Sequence, residues 1–369
     1  MSYLHSPSVH AVKRLANGSA HTSRLADGCI LCEKGAKLVL LVTGKCSRRC
    51  CYCPLSSEKR GKDVFFANER KVVSVKEVLN EAELMDALGT GITGGDPLAA
   101  TDRTVECIRA LKRRFGKGHQ MHLYTSTTDT AKIARVAEAG LDEIRFHPPM
   151  DLWRKLERSA FDSAIRRSRA CGMDVGLEIP VMPGKQSELV SAIAFADERE
   201  LDFVNLNELE FSETNWRALR SLGLDTKEDN EVSSGVAGSE ELAFDLLSLD
   251  ADIPLHYCSS SFKDGVQLRR RIKRRARNVR KPHEVLTKDG TFIKGVVETD
   301  DPARTAATIA SVFEVPAKLL WIDCEKARLE VAPWVLEEIA SDLKLPSYIV
   351  EEYPTSDRLE VERRPLKRR

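Results

Sequence analysis

The sequence predicts an α/β protein: a partial (β/α)6 barrel of parallel strands, followed by a small α+β domain with a ferredoxin-like order of elements. Two observations carry this prediction. From about Lys37 onwards, short β-rich runs alternate with amphipathic helical stretches, which is typical of a parallel sheet with crossover helices. After Pro282 this alternation gives way to a different pattern of strands and helices. A chain of 369 residues is long enough for one large domain and a smaller one.

Six runs of the N-terminal part are predicted as barrel strands, and a seventh is a candidate. In chain order they are Leu38–Thr43, Thr90–Thr93, Met121–Thr125, Glu143–His147, Asp174–Ile179 and Phe203–Leu206, with Leu255–Tyr257 as the seventh. Between them, helices begin at capping residues such as Asp129 and end at glycines such as Gly140. Ligands of such sheets bind at the carboxyl ends of the strands, so the residues that follow each strand are the first candidates for chemistry.

The C-terminal part predicts a βαββαβ order, which is the ferredoxin-like plan. Its elements are a strand at Thr291–Val297, a helix from Pro302 to about Phe313, strands at Leu319–Asp323 and Arg328–Val331, a helix around Trp334–Leu343 and a strand at Tyr348–Glu352. The predicted domains are therefore an N-terminal extension at 1–36, a barrel at 37–265, a basic helix or linker at 266–282 and the α+β domain at 283–369.

Composition narrows the class of protein. The sequence contains no run of about 18 apolar residues that could cross a bilayer, and its N-terminus lacks the apolar core of a secretory signal. We therefore expect a cytoplasmic protein without membrane partners. The chain carries 57 Lys+Arg and 56 Asp+Glu, so any affinity for nucleic acid must come from a local patch. Ten cysteines, six of them between Cys29 and Cys53, indicate metal or redox chemistry in such a protein.

The most informative motif is Cys46-Ser-Arg-Arg-Cys50-Cys51-Tyr52-Cys53, which directly follows the first barrel strand. Three thiolates at CxxxCxxC spacing can surround one 4Fe–4S cluster and leave its fourth iron free. A zinc knuckle or a set of buried thiols is the alternative. Cys51 lies between the ligands and is predicted to point away from them.

The strand, the CxxxCxxC loop and the aromatic Tyr52 resemble the signature of the radical S-adenosylmethionine (SAM) superfamily, over roughly Lys37 to Cys258. The likeness is to an uncharacterised archaeal-type branch related to the pyruvate formate-lyase activating enzyme. It implies a cluster whose open iron binds SAM, reductive cleavage of SAM to a 5′-deoxyadenosyl radical, and hydrogen abstraction from a substrate. It also implies an electron donor of the ferredoxin or flavodoxin type.

A second motif supports the resemblance. Gly94-Gly95-Asp96-Pro97 follows the second predicted strand, where the family carries a Gly-Gly-Glu-Pro loop that holds the SAM amino group. Glycines allow the backbone to approach a ligand closely, and Asp96 replaces the more usual glutamate with a shorter acid of the same charge. Taken alone, this motif would be an ordinary turn.

The resemblance implies further SAM contacts at strand ends. Tyr52 is expected to cover the adenine, with a surface aromatic as the alternative. Arg145 is the candidate for the SAM carboxylate, with a solvent-facing ion pair to Glu143 or Asp142 as the alternative. The remaining candidates for SAM or substrate contacts are Ser126, Glu178 and Asn207, while Asn205 and Glu208 either line the substrate pocket or cap the barrel. His147 is interpreted as an ordinary loop histidine.

Upstream, Cys29-Ile-Leu-Cys32 could provide half of an auxiliary iron–sulfur or zinc site, with Cys258 as a distant partner. A structural pair of buried thiols is the alternative.

The segment Arg269–Lys281 carries nine basic residues and no acidic residue, and its apolar residues recur at helical spacing. It is predicted to bind a polynucleotide through Arg270, Arg274 and Arg277, or else to be a solvated helix paired with acidic patches.

Three functions are compatible with these features. RNA or tRNA modification is favoured, because a basic helix and an appended domain could dock a polynucleotide. A protein-modifying or glycyl-radical-activating enzyme is the second. A noncatalytic iron–sulfur binding protein is the third.

Overall fold

The computed structural model describes residues 11–228 and 234–366 and divides into two compact units. The first comprises residues up to 83 together with 87–268, and the second comprises 84–86 and the chain from 269 onwards. The basic helix predicted as a linker is therefore an integral element of the second unit, because it buries Arg275 and Ala276. Residues 1–10 of the predicted N-terminal extension and 367–369 of the predicted C-terminal domain lie outside the described residues.

The first unit is built from strands that alternate with helices. Its strands are β1 (Lys13–Arg14), β2 (Ala20–His21), β3 (Lys37–Leu41), β4 (Phe66–Ala67), β5 (Arg70–Lys71), β6 (Gly89–Thr93), β7 (Gln120–Thr125), β8 (Glu143–Phe146), β9 (Asp174–Val181), β10 (Phe203–Glu208) and β11 (Leu255–Cys258). Its helices are α1 (Asp27–Glu33), α2 (Val75–Leu84), α3 (Thr101–Phe115), α4 (Thr130–Ala139), α5 (Ala160–Ala170), α6 (Gln186–Glu198), α7 (Trp216–Ser221), α8 (Ser239–Leu247) and α9 (Ser260–Phe262), followed by a π-helical turn at Lys263–Leu268.

These strands form one sheet in the order β1-β2-β11-β10-β9-β8-β7-β6-β3-β4-β5. Every pairing from β11 to β3 in that order is parallel, which confirms the six predicted barrel strands and the seventh candidate. Strand β9 continues through Pro180, although proline usually ends a strand. The residue is tolerated because the pairing of β9 with β8 stops at Leu177, so the missing N–H of Pro180 interrupts no ladder on that side.

The described part of the N-terminal extension, 11–36, belongs to this unit. Strand β2 pairs antiparallel with β11, and α1 packs against the amino ends of β3, β6 and β7. Gly28 makes this approach possible, because a Cβ there would lie 2.4 Å from His122 Nδ1 and 2.7 Å from Arg145 Nη2. Helix α1 therefore closes the sheet interior at the end opposite the carboxyl ends of the strands.

The second unit is an antiparallel sheet with helices. Its elements are α10 (Arg269–Val279), β12 (Val285–Leu286), β13 (Phe292–Val297), α11 (Pro302–Val312), β14 (Leu320–Asp323), β15 (Arg328–Val331), α12 (Pro333–Leu343), β16 (Ser347–Glu352) and β17 (Glu360–Pro365). The strand order β14-β15-β13-β16 places the four predicted strands in the ferredoxin-like arrangement. Strand β17 extends the sheet beyond β16 and was not predicted, because its sequence Glu-Val-Glu-Arg-Arg-Pro carries almost no apolar residue.

The core of the second unit lies between its sheet and its two long helices. It contains Val297, Leu329 and Val331 from the strands, Ile309 from α11 and Leu336 from α12. Pro302 and Pro333 begin these helices at positions where a backbone N–H needs no helical partner.

Candidate active site

A cavity of about 880 Å³ opens at the carboxyl ends of the parallel strands of the first unit. This is where open α/β sheets bind ligands, and the volume is in the range of small-molecule sites. The lining residues are Gly44, Cys46, Arg48, Arg49, Cys50, Tyr52, Cys53, Pro54, Leu55, Ser56, Lys59, Arg60, Gly61, Thr93, Gly94, Gly95, Tyr124, Thr125, Ser126, His147, Glu178 and Asn207.

All three predicted cluster ligands line this cavity. The loop after β3 exposes Cys46 and leaves Cys50 and Cys53 half-buried, and a tight turn joins Cys53 N to Cys50 O at 3.3 Å. Cys51 does not line the cavity, as predicted for a residue between ligands. Burial raises the pKa of the Cys46 and Cys50 thiols, so ligand formation there is coupled to proton release.

The segment between β10 and α7 fixes the cysteine loop by hydrogen bonds to its backbone. Thr214 Oγ1 donates to the carbonyl oxygens of Cys53 (3.2 Å) and Leu55 (2.9 Å), and Asn215 Nδ2 donates to that of Tyr52 at 3.1 Å. Asn215 is buried. The loop is thus fixed by side chains about 160 residues away in sequence, which no local pattern indicated.

The glycine motif packs directly against the start of the cysteine loop. A Cβ at Gly94 would lie 2.3 Å from Thr43 O, and one at Gly95 would lie 2.5 Å from Lys45 O. In return, Gly95 N donates to Thr43 O and Asp96 N donates to Lys45 O, both at 2.8 Å. The close approach that needs glycine is therefore between two backbone segments of the chain itself, while Gly94 and Gly95 still face the cavity.

The structure places Asp96 and Pro97 behind the cavity wall, contrary to their prediction as cofactor contacts. The Asp96 carboxylate is buried and accepts hydrogen bonds from Leu98 N (3.0 Å), Thr125 Oγ1 (2.8 Å) and Ser126 N (3.2 Å). It caps the short turn that Pro97 begins, so its bonding capacity is used to join the ends of β6 and β7.

Tyr52 lies in the cavity wall, which excludes the alternative of a surface aromatic. Its hydroxyl is 3.0 Å from His147 Nε2, and the two rings are tilted with centroids 5.6 Å apart. Burial raises the pKa of Tyr52 and lowers that of His147, which favours a neutral pair. His147 was interpreted as a loop histidine; its position directly after β8 was the signal that it would line the site.

The three remaining strand-end candidates line the cavity as predicted. Ser126 Oγ donates to His147 O at 2.8 Å, and Asn207 Nδ2 donates to Glu178 Oε1 at 2.7 Å. Behind them, buried Asn205 donates to the other Glu178 oxygen at 2.8 Å and does not reach the cavity. Glu208 is also buried and accepts from Ser260 Oγ at 2.7 Å, so of its two predicted roles it has the structural one.

Arg145 does not line the cavity, contrary to its prediction as the SAM carboxylate ligand. Its guanidinium is 2% exposed and lies 2.5 Å from Glu143 Oε1 and 3.1 Å from Glu178 Oε2. The alternative named the right partner, Glu143, but the ion pair is buried and not solvent-facing. The arginine reaches the site only through Glu178.

Cys29 and Cys32 are buried or half-buried on α1 in the sheet interior. Cys29 Sγ accepts from Asn205 Nδ2 (3.3 Å) and Arg145 Nη2 (3.4 Å), and burial raises its pKa to about 11. Within the described residues, these thiols and Cys258 do not form a group of three ligand atoms within 4.8 Å of one another. The arrangement fits structural thiols better than half of a metal site.

Several arginines of the basic helix α10 make contacts within its own unit. Arg274 Nη2 lies 2.5 Å from Asp86 Oδ2, Arg269 pairs with Asp289, and Arg275 donates to Pro354 O. Arg270 and Arg277 are exposed. The three arginines predicted to bind nucleic acid therefore do not form one outward-facing row.

Comparisons with known proteins agree with this site. A family model described as the radical SAM superfamily matches residues 40–196, and one described as a domain of unknown function, DUF8061, matches residues 290–366. A protein of Methanocaldococcus jannaschii, provisionally named a glycyl-radical enzyme activating enzyme, is 38% identical over 358 residues, which are 93% of this chain and 93% of that protein.

Two further similarities are partial. A GTP 3′,8-cyclase of Ectopseudomonas mendocina is 28% identical over 210 residues, covering 51% of this chain and 58% of the cyclase. The crystal structure of Streptococcus suis SuiB bound to S-adenosylmethionine superposes with a TM-score of 0.40 at 14% identity, over 61% of this chain and 50% of SuiB, which is too partial to bear on function. No helix among the described residues is long and apolar enough to cross a membrane. The full-length relative and the family match together show that this chain belongs to the radical SAM superfamily and is an enzyme of that family.

Proposed function

We propose that this enzyme modifies a protein, abstracting a hydrogen atom from a polypeptide segment that enters the cavity, as an activating enzyme does for its target. The observation that carries the proposal is the M. jannaschii relative, whose name describes such an activity and whose similarity extends over both units of this chain. The shorter cyclase similarity spans only about half of the chain. This proposal replaces RNA modification as the favoured function.

The residues present fit a 4Fe–4S cluster and SAM. Cys46, Cys50 and Cys53 line a single cavity, and Gly94 and Gly95, which pack against the start of the cysteine loop, line the same cavity. The polar groups that would hold SAM are those of Tyr52, Ser126, Glu178 and Asn207. When bound and reduced by a ferredoxin- or flavodoxin-type donor, these cofactors supply a 5′-deoxyadenosyl radical that takes a hydrogen atom from the substrate.

The chain itself orients these groups. Hydrogen bonds from Asn205 and Asn207 fix the Glu178 carboxylate from two sides, and His147 fixes the Tyr52 hydroxyl. Side chains held in this way are already arranged to receive a ligand, which lowers the free-energy cost of binding. The outer part of the cavity remains open for a substrate segment.

The observations on α10 weaken the RNA alternative. Of the three arginines predicted to contact nucleic acid, Arg274 is engaged with a carboxylate of its own unit. The basic run was the main support for an RNA substrate, and this pairing reduces the positive charge that the run presents, while the full-length relative favours a protein substrate.

The test uses deuterium transfer. Cell extract from a host grown in deuterated medium is separated into protein, RNA and small molecules, and each fraction is added to the anaerobic, cluster-loaded enzyme with SAM and a reductant. We expect deuterium in 5′-deoxyadenosine only with the protein fraction, in a protease-sensitive manner. Transfer from the RNA fraction, abolished by ribonuclease, would contradict the proposal.

The control is the variant with Cys46, Cys50 and Cys53 all changed to Ala, which should lose the visible absorption of the cluster and form no 5′-deoxyadenosine. Metal analysis of the same variant also examines the auxiliary site. If the variant still binds iron or zinc, and this metal is lost when Cys29 and Cys32 are also replaced, the auxiliary site is supported. A metal-free variant would support a structural role for these two thiols.

A further inference from the structure

The mouth of the cavity is lined by positive charge that the chain does not neutralise. Arg48, Arg49, Lys59 and Arg60 all line it, and within residues 11–228 and 234–366 none of them has a carboxylate at ion-pair distance. Two neighbouring cations are paired, since Lys45 lies 3.5 Å and Arg103 lies 2.8 Å from carboxylate oxygens of Asp63. Within the described residues, the four cations that line the cavity thus differ from Lys45 and Arg103 in having no carboxylate to compensate their charge.

The contacts that these four residues do make hold them without compensating their charge. Arg48 Nη2 donates to Ser126 O at 3.2 Å, and Arg60 Nη1 donates to Thr214 O at 3.4 Å. The Lys59 ammonium lies 4.7 Å from the centre of the Phe66 ring. Carbonyl groups and an aromatic face orient a cation but carry no net charge, so the positive potential remains directed at the cavity mouth.

The anionic groups of the site do not offset this excess. Among the lining residues of the described chain, Glu178 is the one carboxylate, and it shares the Arg145 guanidinium, at 3.1 Å, with Glu143. A bound cluster would add less negative charge than its three thiolates carry, because its iron–sulfide core is cationic. The cavity mouth therefore keeps a net positive charge that an anionic partner could neutralise.

We infer that the cavity mouth selects a polypeptide segment rich in aspartate and glutamate. This inference rests on the proposed function, which supplies the protein substrate. Guanidinium groups bind carboxylates through paired hydrogen bonds, and a low-dielectric cleft lined by one sign of charge concentrates ligands of the opposite sign. Acidic residues beside the reacting position would thus orient the segment in the cavity.

The geometry favours such a peptide over single-stranded RNA. Sequence-tolerant RNA sites combine a basic track with aromatic faces on which unstacked bases lie. The aromatic rings that line this cavity are those of Tyr52 and His147, which are bound to each other, and that of Tyr124, which is half-buried.

The experiment measures binding to the anaerobic, cluster-loaded enzyme with SAM present, by fluorescence anisotropy. The probes are a labelled peptide of alternating glycine and glutamate, its glutamine counterpart of equal length, and a labelled oligouridylate. We expect the acidic peptide to bind about tenfold more tightly than the amide peptide at low salt, with the difference shrinking as salt is raised.

The variant that tests the site carries Lys59→Glu and Arg60→Glu, both outside the cysteine motif, and should lose the preference for the acidic peptide. The matched control is Lys62→Glu, an exposed residue of the same loop that does not line the cavity, and it should keep the wild-type preference. Iron content and SAM binding are measured for each protein, so that a damaged loop is recognised.

Equal binding of the two peptides by the wild type, or a preference that survives in the double variant, would overturn the inference. Tighter binding of oligouridylate that is lost in the same variant would also overturn it and assign the mouth to RNA. If deuterium is transferred from protein while the acidic peptide shows no preference, the proposed function stands and only the acidic selection fails.

Discussion

Arg145 is the residue around which the interior of the first unit is organised. It is fully enclosed between Glu143 and Glu178, also donates to Cys29 on α1, and lies over the rings of Tyr124 and Phe203 at 5.4 and 5.1 Å. The two carboxylates and the one guanidinium together carry a net negative charge. The buried Lys37 ammonium at the start of β3 reduces this charge. The arginine thus connects α1 with the wall of the cavity through buried charges.

The first prediction is that Arg145→Leu destabilises the protein by about 3–5 kcal/mol, because two buried carboxylates lose their cation. The measurement is chemical denaturation followed by circular dichroism. The control is Arg135→Leu, which removes an exposed pair with Asp102 and should cost less than about 1 kcal/mol. An Arg145→Leu protein of normal stability that binds SAM weakly would restore this arginine as the carboxylate ligand.

The residues of the site could be predicted to different degrees. The cysteines and glycines were found because their spacing is itself the signal. The direction in which the Arg145 side chain points could not be predicted. All four residues of β8 are buried, so no alternation of polar and apolar residues distinguishes the two faces of this strand. The same limit left the roles of Asn205 and Glu208 open, and only the structure shows that Asn207 reaches the cavity while Asn205 supports it.

Among the structural elements, the segment between β10 and α7 has the most direct effect on the site. It contributes three hydrogen bonds to carbonyl oxygens of the cysteine loop, and Glu213 accepts one from Ser57 N at 2.6 Å. The loop after β3 has no regular secondary structure of its own near the cysteines. Its shape therefore depends on this segment as well as on the glycine motif.

The second prediction is that Thr214→Val loosens the cysteine loop, because two backbone carbonyls lose their donor at a cost of about 1–3 kcal/mol. We expect the cluster to be lost roughly tenfold faster, as measured by the decay of visible absorption and by iron released to a chelator under anaerobic conditions. Thr214→Ser keeps the hydroxyl and should retain the wild-type rate. Identical decay in the valine and wild-type proteins would show that the segment does not support the cluster site.

At the scale of the whole molecule, the division into a parallel α/β unit and a ferredoxin-like unit was predictable because strand and helix periodicities change after Pro282. The position of α10 was not predictable, because a basic amphipathic helix has the same sequence pattern whether it is a linker or a packed element. Edge strand β17 escaped prediction for a related reason, since exposed edge strands need little apolar residue content.

The second unit also contains a buried network of charged residues that the sequence did not indicate. Lys294 is 1% exposed, and its ammonium lies 2.8 Å from Glu284, 3.3 Å from Glu330 and 3.0 Å from Glu352. His283, Glu284 and Glu330 could hold a metal ion by their distances, but the Lys294 ammonium already lies among them. The group is therefore an ion-pair network that joins β13, β15 and β16.

The last prediction concerns the pH dependence of this network. Burial alone would raise the pKa of Glu352, but the nearby cations Lys294, Lys326 and Arg358 outweigh this effect and lower the pKa from 4.5 to about 2. The pKa of Glu330 is lowered in the same way, chiefly by His283 and Lys294. Because the folded-state pKa lies below the unfolded value, the stabilisation is complete above about pH 4.5 and is lost as the pH falls towards 2. For Glu352 it amounts to roughly 3 kcal/mol at neutral pH.

Glu352→Gln should therefore lower the stability of the second unit at pH 7 and flatten its pH dependence between 4.5 and 2. Hydrogen exchange of peptides covering β13 and β16, corrected for intrinsic rates, reports on this unit separately from the cluster site. The matched control is Glu337→Gln, which removes an exposed partner of Arg364. It should change neither the stability of the second unit at pH 7 nor its pH dependence. A Glu352→Gln protein that keeps the full acid sensitivity of the wild type would show that the protonation of Glu352 is not the origin of that sensitivity.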